Sequence, residues 1–189
     1  MLEIKIGLRD MDKRFRTEGW AGRQPGTSLH HEEIRNRTVG IIGYGHIGKE
    51  IAKRAAAFDM RIIAIRRSQQ DAVAPLDWIG TAEQLDKLSS ESDFVVVACD
   101  MNEETIGMID SPQIAKMKPS GIIINVARGR IIAEEPLYNA LKNKKIGGAV
   151  LDVWYNYIGN DQEEVSPSNC PFEQLDNVIL SAHESASAP

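Results

Sequence analysis

Three closely spaced glycines could bind a phosphate group. Gly43, Gly45 and Gly48 form the pattern Gly-x-Gly-x-x-Gly after a β-branched run. In such a turn the first glycine permits a tight bend, the second lets backbone N–H groups approach a pyrophosphate, and the third lets the following helix pack closely on the strand. The N-terminus of that helix also attracts anions. The spacing favours a dinucleotide site, and a strand-to-helix turn without a ligand is the structural alternative.

His46 and Ile47 lie inside this turn. Their position assigns both residues to the predicted cofactor-binding segment. Histidine is a common acid or base in enzymes, but we expect His46 to be an exposed residue of the first helical turn rather than a catalytic group.

A basic pair follows at the place where the ribose of a dinucleotide would lie. NAD-binding folds usually carry Asp or Glu about 20 residues beyond the glycines, where it accepts hydrogen bonds from the ribose hydroxyls. This chain instead has Arg66, Arg67 and Ser68. Two guanidinium groups and a hydroxyl suit a 2′-phosphate. The sequence therefore predicts NADP(H) in preference to NAD(H), with solvated charges at a strand end as the alternative.

Short β-branched runs alternate with helical patterns along the chain, which is typical of a parallel α/β sheet. We therefore expect a Rossmann-type, doubly wound parallel sheet with helices on both faces. Residues 154–176, rich in proline, glycine and asparagine, are predicted to form a long loop. The predicted strands cover residues 39–43, 61–65, 94–99, 122–126, 148–153 and 178–180.

The helix after the glycines has a clear periodicity. Ile47, Ile51, Ala55 and Phe58 recur at spacings of four, four and three, which predicts one apolar face packed on the sheet. Further helices are indicated by signals at their ends. These signals are a capping box at Thr81 and Gln84, an N-cap at Ser111 before Pro112, and a helical stretch at 133–144 ended by Gly147.

Composition limits the classes of function. The 189 residues are 42% hydrophobic and 26% charged, which suits one globular domain. The net charge of −5 gives no general attraction to nucleic acid or to an anionic membrane. The two cysteines form no metal-binding pattern, and no apolar stretch is long enough for a membrane span or a signal peptide. We expect a cytoplasmic protein that binds no metal, membrane or nucleic acid.

Three further motifs resemble one enzyme family. They are Asn-Val-Ala-Arg-Gly at 125–129, Gly-Ala-Val-Leu-Asp-Val-Trp at 148–154 and Asn-Val-Ile-Leu-Ser-Ala-His at 177–183. With the glycine turn, and in this order, they resemble the D-isomer-specific 2-hydroxyacid dehydrogenases. That family includes glyoxylate and hydroxypyruvate reductases, phosphoglycerate dehydrogenase and NAD-dependent formate dehydrogenase. The resemblance implies reversible hydride transfer between NADP(H) and a small 2-keto or 2-hydroxy acid.

The same resemblance implies a larger assembly. Enzymes of the family have two domains and usually dimerise through the nucleotide-binding one. We therefore expect residues 1–189 to be the NAD(P)-binding domain of a homodimeric enzyme, with residues 1–16 as the helix that leads into it. We also expect the substrate-domain segments before and after this domain to be absent from the chain.

Four residues take their expected roles from the resemblance. Arg128 matches the arginine that binds the substrate carboxylate and carbonyl oxygen, which suits a planar fork of donors. His183 matches the acid/base histidine, whose imidazole titrates in a suitable range. Asp152 matches an aspartate that holds the nicotinamide carboxamide, and Ala127 lies beside Arg128 at the cofactor. A surface arginine and a strand-end cap are the structural alternatives for Arg128 and Asp152.

Tyr157 departs from the family pattern. The family usually has Glu at this position, five residues beyond the aspartate, where it pairs with the histidine. A phenol is uncharged at neutral pH, so Tyr157 could orient His183 by a hydrogen bond but would not stabilise its cationic form. A carboxylate of the same loop, from Asp161, Glu163 or Glu164, is an alternative partner that sequence cannot decide.

A second departure lies at residues 98–100, where the family often has His and then Pro. Cys99 stands there, and we expect it to be a buried small residue without a catalytic role. These departures leave a second function open, which is a nucleotide-binding or regulatory module of the same fold without turnover.

Overall fold

The computed structural model describes residues 1–22, 33–157 and 165–184. Within them, seven parallel strands form one sheet in the order β3-β2-β1-β4-β5-β6-β7. This arrangement confirms the predicted doubly wound fold. The strands are β1 (Thr38–Ile42), β2 (Arg61–Ile65), β3 (Trp78–Gly80), β4 (Phe94–Val97), β5 (Ile122–Asn125), β6 (Gly148–Leu151) and β7 (Val178–Leu180).

Helices cover both faces of the sheet. Successive strand residues point to opposite faces, so Ile41 packs in one apolar cluster with Ala52 and Ala55, while Ile42 packs in a second cluster with Leu88 and Leu137. Every residue of β1 and β4 is buried, as expected for central strands covered on both sides. The α-helices are α1 (Leu2–Ile6), α2 (Leu8–Glu18), α3 (His46–Ala56), α4 (Leu85–Glu91), α5 (Ser111–Lys116) and α6 (Glu134–Lys142).

β3 is a strand that the sequence patterns did not predict. It has three residues at the edge of the sheet, and Trp78 is the register partner of Ile63 in β2. A run this short shows no alternation that could distinguish it from a loop. Pairing with β2, rather than local propensity, therefore defines β3.

The predicted apolar face of α3 is wrong at both ends. Ile47 is 58% exposed, and Phe58, which lies beyond the end of the helix, is 49% exposed. The buried residues of α3 are the small Gly48, Ala52 and Ala55. A Cβ atom at Gly48 would lie 2.2 Å from the carbonyl oxygen of Gly43, so the helix approaches the sheet too closely for large side chains to face it.

Two helix starts and one helix end were predicted from end signals. The side-chain oxygen of Gln84 accepts a hydrogen bond from the N–H of Thr81 at 2.7 Å, as the capping box predicted, although residues 82–84 form a 3-10 turn before α4. The N-cap of α5 is Asp110 rather than Ser111, since the Asp110 carboxylate accepts the N–H of Ser111 at 2.6 Å. The predicted N-cap is therefore wrong by one residue.

The end of α6 also differs from the prediction. The helix ends at Lys142 instead of reaching residue 144, and Lys144 adopts a left-handed φ of 52°. The chain therefore turns before Gly147. The expected single helix over residues 1–16 is likewise divided, because Gly7 adopts a left-handed φ of 67° between α1 and α2.

The long loop after β6 forms no α-helix or strand in its described part, residues 154–157 and 165–176, as predicted. It does contain a short 3-10 helix at Phe172–Gln174. Phe172 is fully buried, and its ring lies 5.5 Å from that of Tyr138 in α6. This aromatic contact packs the loop against α6. Among the described residues, no helix has the length and apolar character needed to cross a lipid bilayer.

Candidate functional site

A cavity of about 710 Å³ opens at the carboxyl ends of β1, β2 and β4. The chain leaves β1 toward β2 on one side and β4 adjoins β1 on the other, so the cavity lies where the strand order reverses. Open α/β sheets bind ligands at such a point. We call this space the switch-point cavity.

The glycine turn forms one wall of the switch-point cavity. Gly43 has a φ of 100°, and a Cβ atom there would lie 2.5 Å from the backbone nitrogen of Cys99. In contrast, apart from its two chain neighbours, no atom of the described residues lies within 4 Å of the Cβ position of Gly45. The turn therefore combines a tight bend with open space beside its backbone, and this space suits a phosphate group.

His46 and Ile47 are the first residues of α3, and both are exposed on the cavity wall. This agrees with the prediction for His46. The N-cap residue is Gly45, which has no side chain to accept the first N–H groups of the helix. Those donors are positioned to meet an anion in the cavity.

Arg66, Arg67 and Ser68 line the same cavity, at the end of β2. The N–H of Gly43 donates to the carbonyl oxygen of Ile65 at 3.0 Å, which ties the glycine turn to this strand end. Arg66 is half-buried and its guanidinium donates to the side chain of Gln70, whereas Arg67 and Ser68 are exposed. The structure thus brings the predicted phosphate-binding residues together.

Cys99 lies on the cavity wall next to the glycine turn, and it is half-buried rather than fully buried as predicted. Burial raises the pKa of its thiol to about 11. The side chain is therefore a neutral thiol at physiological pH and a poor nucleophile.

A second cavity of about 430 Å³ lies beside the carboxyl end of β5. Its walls are the turn at 128–130, the segment 154–157 after β6, and two apolar side chains, Met101 and Val165. We call it the arginine cavity because Arg128 and Arg130 both line it.

Asn125, the last residue of β5, shapes the turn that carries these arginines. It is 1% exposed; its amide nitrogen donates to the carbonyl oxygen of Arg128 at 2.9 Å, and its amide oxygen accepts the N–H of Ala127 at 3.1 Å. The sequence motif includes Asn125, but its spacing alone did not reveal this role. A short polar residue that ends a buried strand is the signal that could have done so.

Arg128 is exposed at the arginine cavity, and its Nη1 atom donates to the carbonyl oxygen of Ala127 at 2.6 Å. Ala127 is buried and lines neither cavity. The structure therefore places Arg128 at the arginine cavity, and its binding of a substrate remains a prediction. Its neighbour Ala127 supports the turn from behind, and the predicted contact of Ala127 with a cofactor remains a prediction.

Asp152, at the end of β6, is 4% exposed and joins the segment that contains His183. Its Oδ1 atom accepts the hydroxyl of Ser181 at 2.6 Å and the N–H of Glu184 at 2.9 Å. His183 is half-buried with a left-handed φ of 61°. Because the two bonds hold the chain on both sides of His183, they maintain this uncommon conformation.

Tyr157 meets His183 through its ring rather than through a charge. The ring centroids lie 5.5 Å apart. The Tyr157 hydroxyl accepts the backbone N–H of Trp154 at 3.1 Å, and the indole nitrogen of Trp154 donates to the carbonyl oxygen of Ser181 at 2.9 Å. These contacts connect the wall of the arginine cavity to the His183 segment. Asp161, Glu163 and Glu164, the alternative partners of His183, lie outside the described residues.

Two residues of the arginine cavity were missed by the sequence analysis. A Cβ atom at Gly129 would lie 2.2 Å from the carbonyl oxygen of Trp154, so this glycine lets the arginine turn touch the opposite wall. Arg130 follows it and also lines the cavity. Among the described residues, no group of three histidine, cysteine or acidic side chains is arranged to hold a metal ion.

Comparison with known proteins gives consistent matches. Residues 1–185 match the sequence profile of the D-isomer specific 2-hydroxyacid dehydrogenase NAD binding domain. The chain is 35% identical over 177 residues to a glyoxylate reductase of Pyrococcus furiosus, covering 91% of this chain and 49% of that protein. It is 38% identical over 164 residues to a hydroxypyruvate reductase of Thermotoga maritima, covering 85% and 49%.

A solved structure shares the fold at similar coverage. The NADPH-dependent glyoxylate/hydroxypyruvate reductase of Sinorhizobium meliloti, in complex with citrate, superposes with a TM-score of 0.78 at 27% identity. The alignment covers 99% of this chain and 54% of the other. The chain thus spans about half the length of the curated relatives it matches.

Proposed function

This chain belongs to the D-isomer specific 2-hydroxyacid dehydrogenases, through their NAD-binding domain, and on that premise we propose that it takes part in reversible hydride transfer between NADP(H) and a small 2-keto or 2-hydroxy acid. One observation carries the proposal. At the carboxyl end of the sheet, the switch-point cavity has a glycine turn suited to phosphate, and the arginine cavity has Arg128 and Tyr157, the ring neighbour of His183.

The switch-point cavity would hold the dinucleotide. The free space at Gly45 and the first N–H groups of α3 fit a pyrophosphate. Arg66, Arg67 and Ser68 would bind a 2′-phosphate on the adenosine ribose, since guanidinium groups pair with phosphate through two parallel hydrogen bonds. This favours NADP(H) over NAD(H).

The arginine cavity would hold the keto acid. The bound nicotinamide supplies the hydride. The guanidinium of Arg128 would bind the substrate carboxylate and polarise the carbonyl oxygen. His183 would donate a proton to that oxygen during reduction and remove it during oxidation.

Asp152 and Tyr157 would support His183 in different ways. Asp152 accepts hydrogen bonds from the Ser181 hydroxyl and the Glu184 N–H, on either side of the histidine. We also propose that Asp152 binds the nicotinamide carboxamide, as the family relationship implies. Tyr157 contributes a ring contact and no charge, so it does not stabilise the imidazolium electrostatically. Reduction would use the protonated form of His183, since that form carries the proton that is donated.

The absence of a family-type carboxylate at Tyr157 favours a second candidate function. The chain would then bind the nucleotide as a regulatory module without turnover. The two functions differ in the effect of replacing His183. If the protein is an enzyme, replacing His183 should abolish turnover and leave the affinity for NADPH unchanged. A regulatory module would show no turnover even before the replacement.

We propose further that residues 1–189 act as the NAD(P)-binding domain of a two-domain, cytoplasmic enzyme that forms a homodimer through this domain. An apolar surface near the start of the chain suits such contact, because Leu8, Phe15 and Trp20 are 57%, 57% and 78% exposed. Light scattering after size-exclusion chromatography tests the dimer. A monomer at every concentration would contradict it.

Titration with NADPH and NADH tests the cofactor assignment. Protein fluorescence reports binding to the parent protein and to a variant with Arg66→Ala and Arg67→Ala. We expect NADPH to bind more tightly than NADH, and the variant to lose that difference. A matched control with Lys53→Ala and Arg54→Ala removes the same charge from the exposed last turn of α3. Equal affinity of the parent protein for both nucleotides would refute the 2′-phosphate site while leaving the dehydrogenase proposal intact.

A further inference from the structure

The arginine cavity contains one more positive charge than a simple 2-keto acid needs. Arg128 and Arg130 both line it, and both are exposed. Among residues 1–22, 33–157 and 165–184, no acidic side chain lines the cavity, and neither arginine forms an ion pair with a carboxylate. Two guanidinium groups at one small cavity create a local positive potential.

The position of Arg130 is fixed by its backbone. Its carbonyl oxygen accepts the N–H of Gly107 at 2.9 Å, and the next residue, Ile131, is fully buried. On the other side, Gly129 touches the carbonyl of Trp154 so closely that a Cβ atom would not fit. The turn is therefore held on three sides, and Arg130 is presented at the same cavity as Arg128 by a rigid backbone.

The other described residues that line the cavity are uncharged. Asn156 donates its side-chain amide to the carbonyl oxygen of Ser166 at 3.2 Å. Burial raises the pKa of Tyr155, so its phenol keeps its proton. At neutral pH the charges on the described cavity wall are thus both positive, and a ligand with two anionic groups would satisfy both.

We propose that Arg130 is a specificity-determining residue that binds a second anionic group, a carboxylate or a phosphate, on the side chain of the keto acid. The inference rests on the proposed function, in which Arg128 binds the carboxylate next to the reacting carbonyl. It predicts a substrate class that composition and motif spacing left open: 2-keto acids that carry two anionic groups.

Matched pairs of keto acids test this inference in the full-length, NADPH-loaded protein. Oxaloacetate differs from pyruvate by one carboxylate, and 3-phosphohydroxypyruvate differs from hydroxypyruvate by one phosphate. We expect the parent protein to have the higher kcat/KM for the dianionic member of at least one pair. Arg130→Gln should lower that value by roughly 10- to 100-fold, the loss of a charge-assisted hydrogen bond, and change the monoanion value by less than about threefold.

Two further variants separate charge from geometry. Arg130→Lys keeps the charge but lacks the planar fork, so it should retain part of the preference for the dianion. Lys145→Gln removes an exposed charge from a residue that lines neither cavity and should leave the preference unchanged. The inference is overturned if the parent protein prefers the monoanion of both pairs, or if Arg130→Gln affects both members of each pair equally.

A binding measurement distinguishes failure of this inference from failure of the proposed function. Trp154 lines the arginine cavity, so its fluorescence, assigned with a Trp154→Phe control, reports ligand binding without turnover. If no keto acid is reduced but Arg130→Gln still weakens binding of the dianion alone, Arg130 is an anion-binding residue and the hydride-transfer proposal fails. If keto acids are reduced, and Arg130→Gln binds both keto acids of each pair with the same affinity as the parent protein, Arg130 has no role in specificity.

Discussion

The two cavities are built in different ways. The proposed phosphate-binding wall of the switch-point cavity is one continuous stretch, Gly43 to Gly48, in which backbone groups would meet the ligand. The arginine cavity and its histidine combine side chains from three distant segments, at 125–130, 152–157 and 181–184. A short motif can therefore specify this wall of the first cavity, whereas the second cavity exists only after β5, β6 and β7 have paired. The comparison predicts that the switch-point cavity binds the cofactor and that the chemical step takes place at the arginine cavity.

Replacing His183 should have the largest effect and separates the two cavities most directly. His183→Asn removes the proposed acid/base group, yet asparagine tolerates the left-handed φ of 61° at this position. We expect kcat to fall on the order of 100- to 10,000-fold, while NADPH affinity stays within about twofold. Steady-state kinetics and a parallel NADPH titration measure both. An unchanged rate would remove the functional division between the cavities, whereas the lack of any measurable rate in the parent protein would favour the regulatory module.

Two glycines of the turn should respond differently to the same substitution. In Gly48→Ala the new methyl group meets the Gly43 carbonyl at 2.2 Å, so α3 must move away from β1; we expect a loss of about 1–3 kcal/mol in unfolding free energy. In Gly45→Ala the methyl group enters open space, so stability should change by less than about 0.5 kcal/mol. NADPH affinity should nevertheless fall about tenfold, since the methyl group occupies the proposed phosphate space.

Denaturant unfolding and NADPH titration of the two alanine variants provide the measurement. Each variant is the control for the other, because the chemical change is identical. Equal destabilisation by both, or normal NADPH affinity in Gly45→Ala, would show that the backbone of this turn is not shaped for a ligand.

Features that depend on local sequence were predicted better than features that depend on distant segments. The buried β-branched runs predicted six of the strands, because central parallel strands must be apolar on both faces. Trp78–Gly80 was too short to show a pattern. The periodicity of α3 predicted that Ile47 would be buried, but Ile47 is exposed. The prediction failed because a periodic pattern does not reveal how closely a helix approaches the sheet.

The sequence predicted less of the candidate site than of the fold. Arg128, Asp152 and His183 were found by their resemblance to a family, and local spacing does not predict that Asp152 bonds to both sides of His183. Arg130 is an ordinary exposed arginine in the sequence. Only the folded structure, in which Gly129 meets the Trp154 carbonyl, shows that Arg130 lines the same cavity as Arg128. Long-range contacts of this kind depend on strand order, which no short motif encodes.

A charge introduced beside His183 tests whether the second cavity works without a carboxylate. In Tyr157→Glu the new carboxylate would favour the imidazolium, so the decline of the reduction rate with rising pH should move to higher pH by about one unit. Tyr157→Phe is the control, since it keeps the ring contact and loses only the hydroxyl that accepts the Trp154 N–H. We expect the profile of Tyr157→Phe to match that of the parent protein. If Tyr157→Glu leaves the pH–rate profile of kcat/KM unmoved, another group already provides the charge.

The opposite end of the sheet should affect stability alone, and by the smallest amount. Asp93, at the amino end of β4, is 8% exposed; its carboxylate accepts the N–H of Thr38 at 2.8 Å and the ammonium of Lys118 at 2.9 Å. Burial by itself would raise the pKa of Asp93, but the two hydrogen bonds outweigh it and hold the pKa below its ordinary value of 3.8. A lowered folded-state pKa stabilises the fold above pH 3.8, and this contribution is lost as the pH falls through the folded-state value.

We therefore expect Asp93→Asn to destabilise the protein by about 1 kcal/mol at neutral pH, a small value because Lys118 is 36% exposed and water screens the pair. The difference from the parent protein should shrink below pH 3.8, where Asp93 in the parent becomes protonated. Urea unfolding between pH 3 and pH 7 measures it, and NADPH titration of the same variant should show unchanged affinity. A loss of NADPH affinity would mean that the amino ends of the strands influence the switch-point cavity, and the division between a structural end and a functional end of the sheet would then fail.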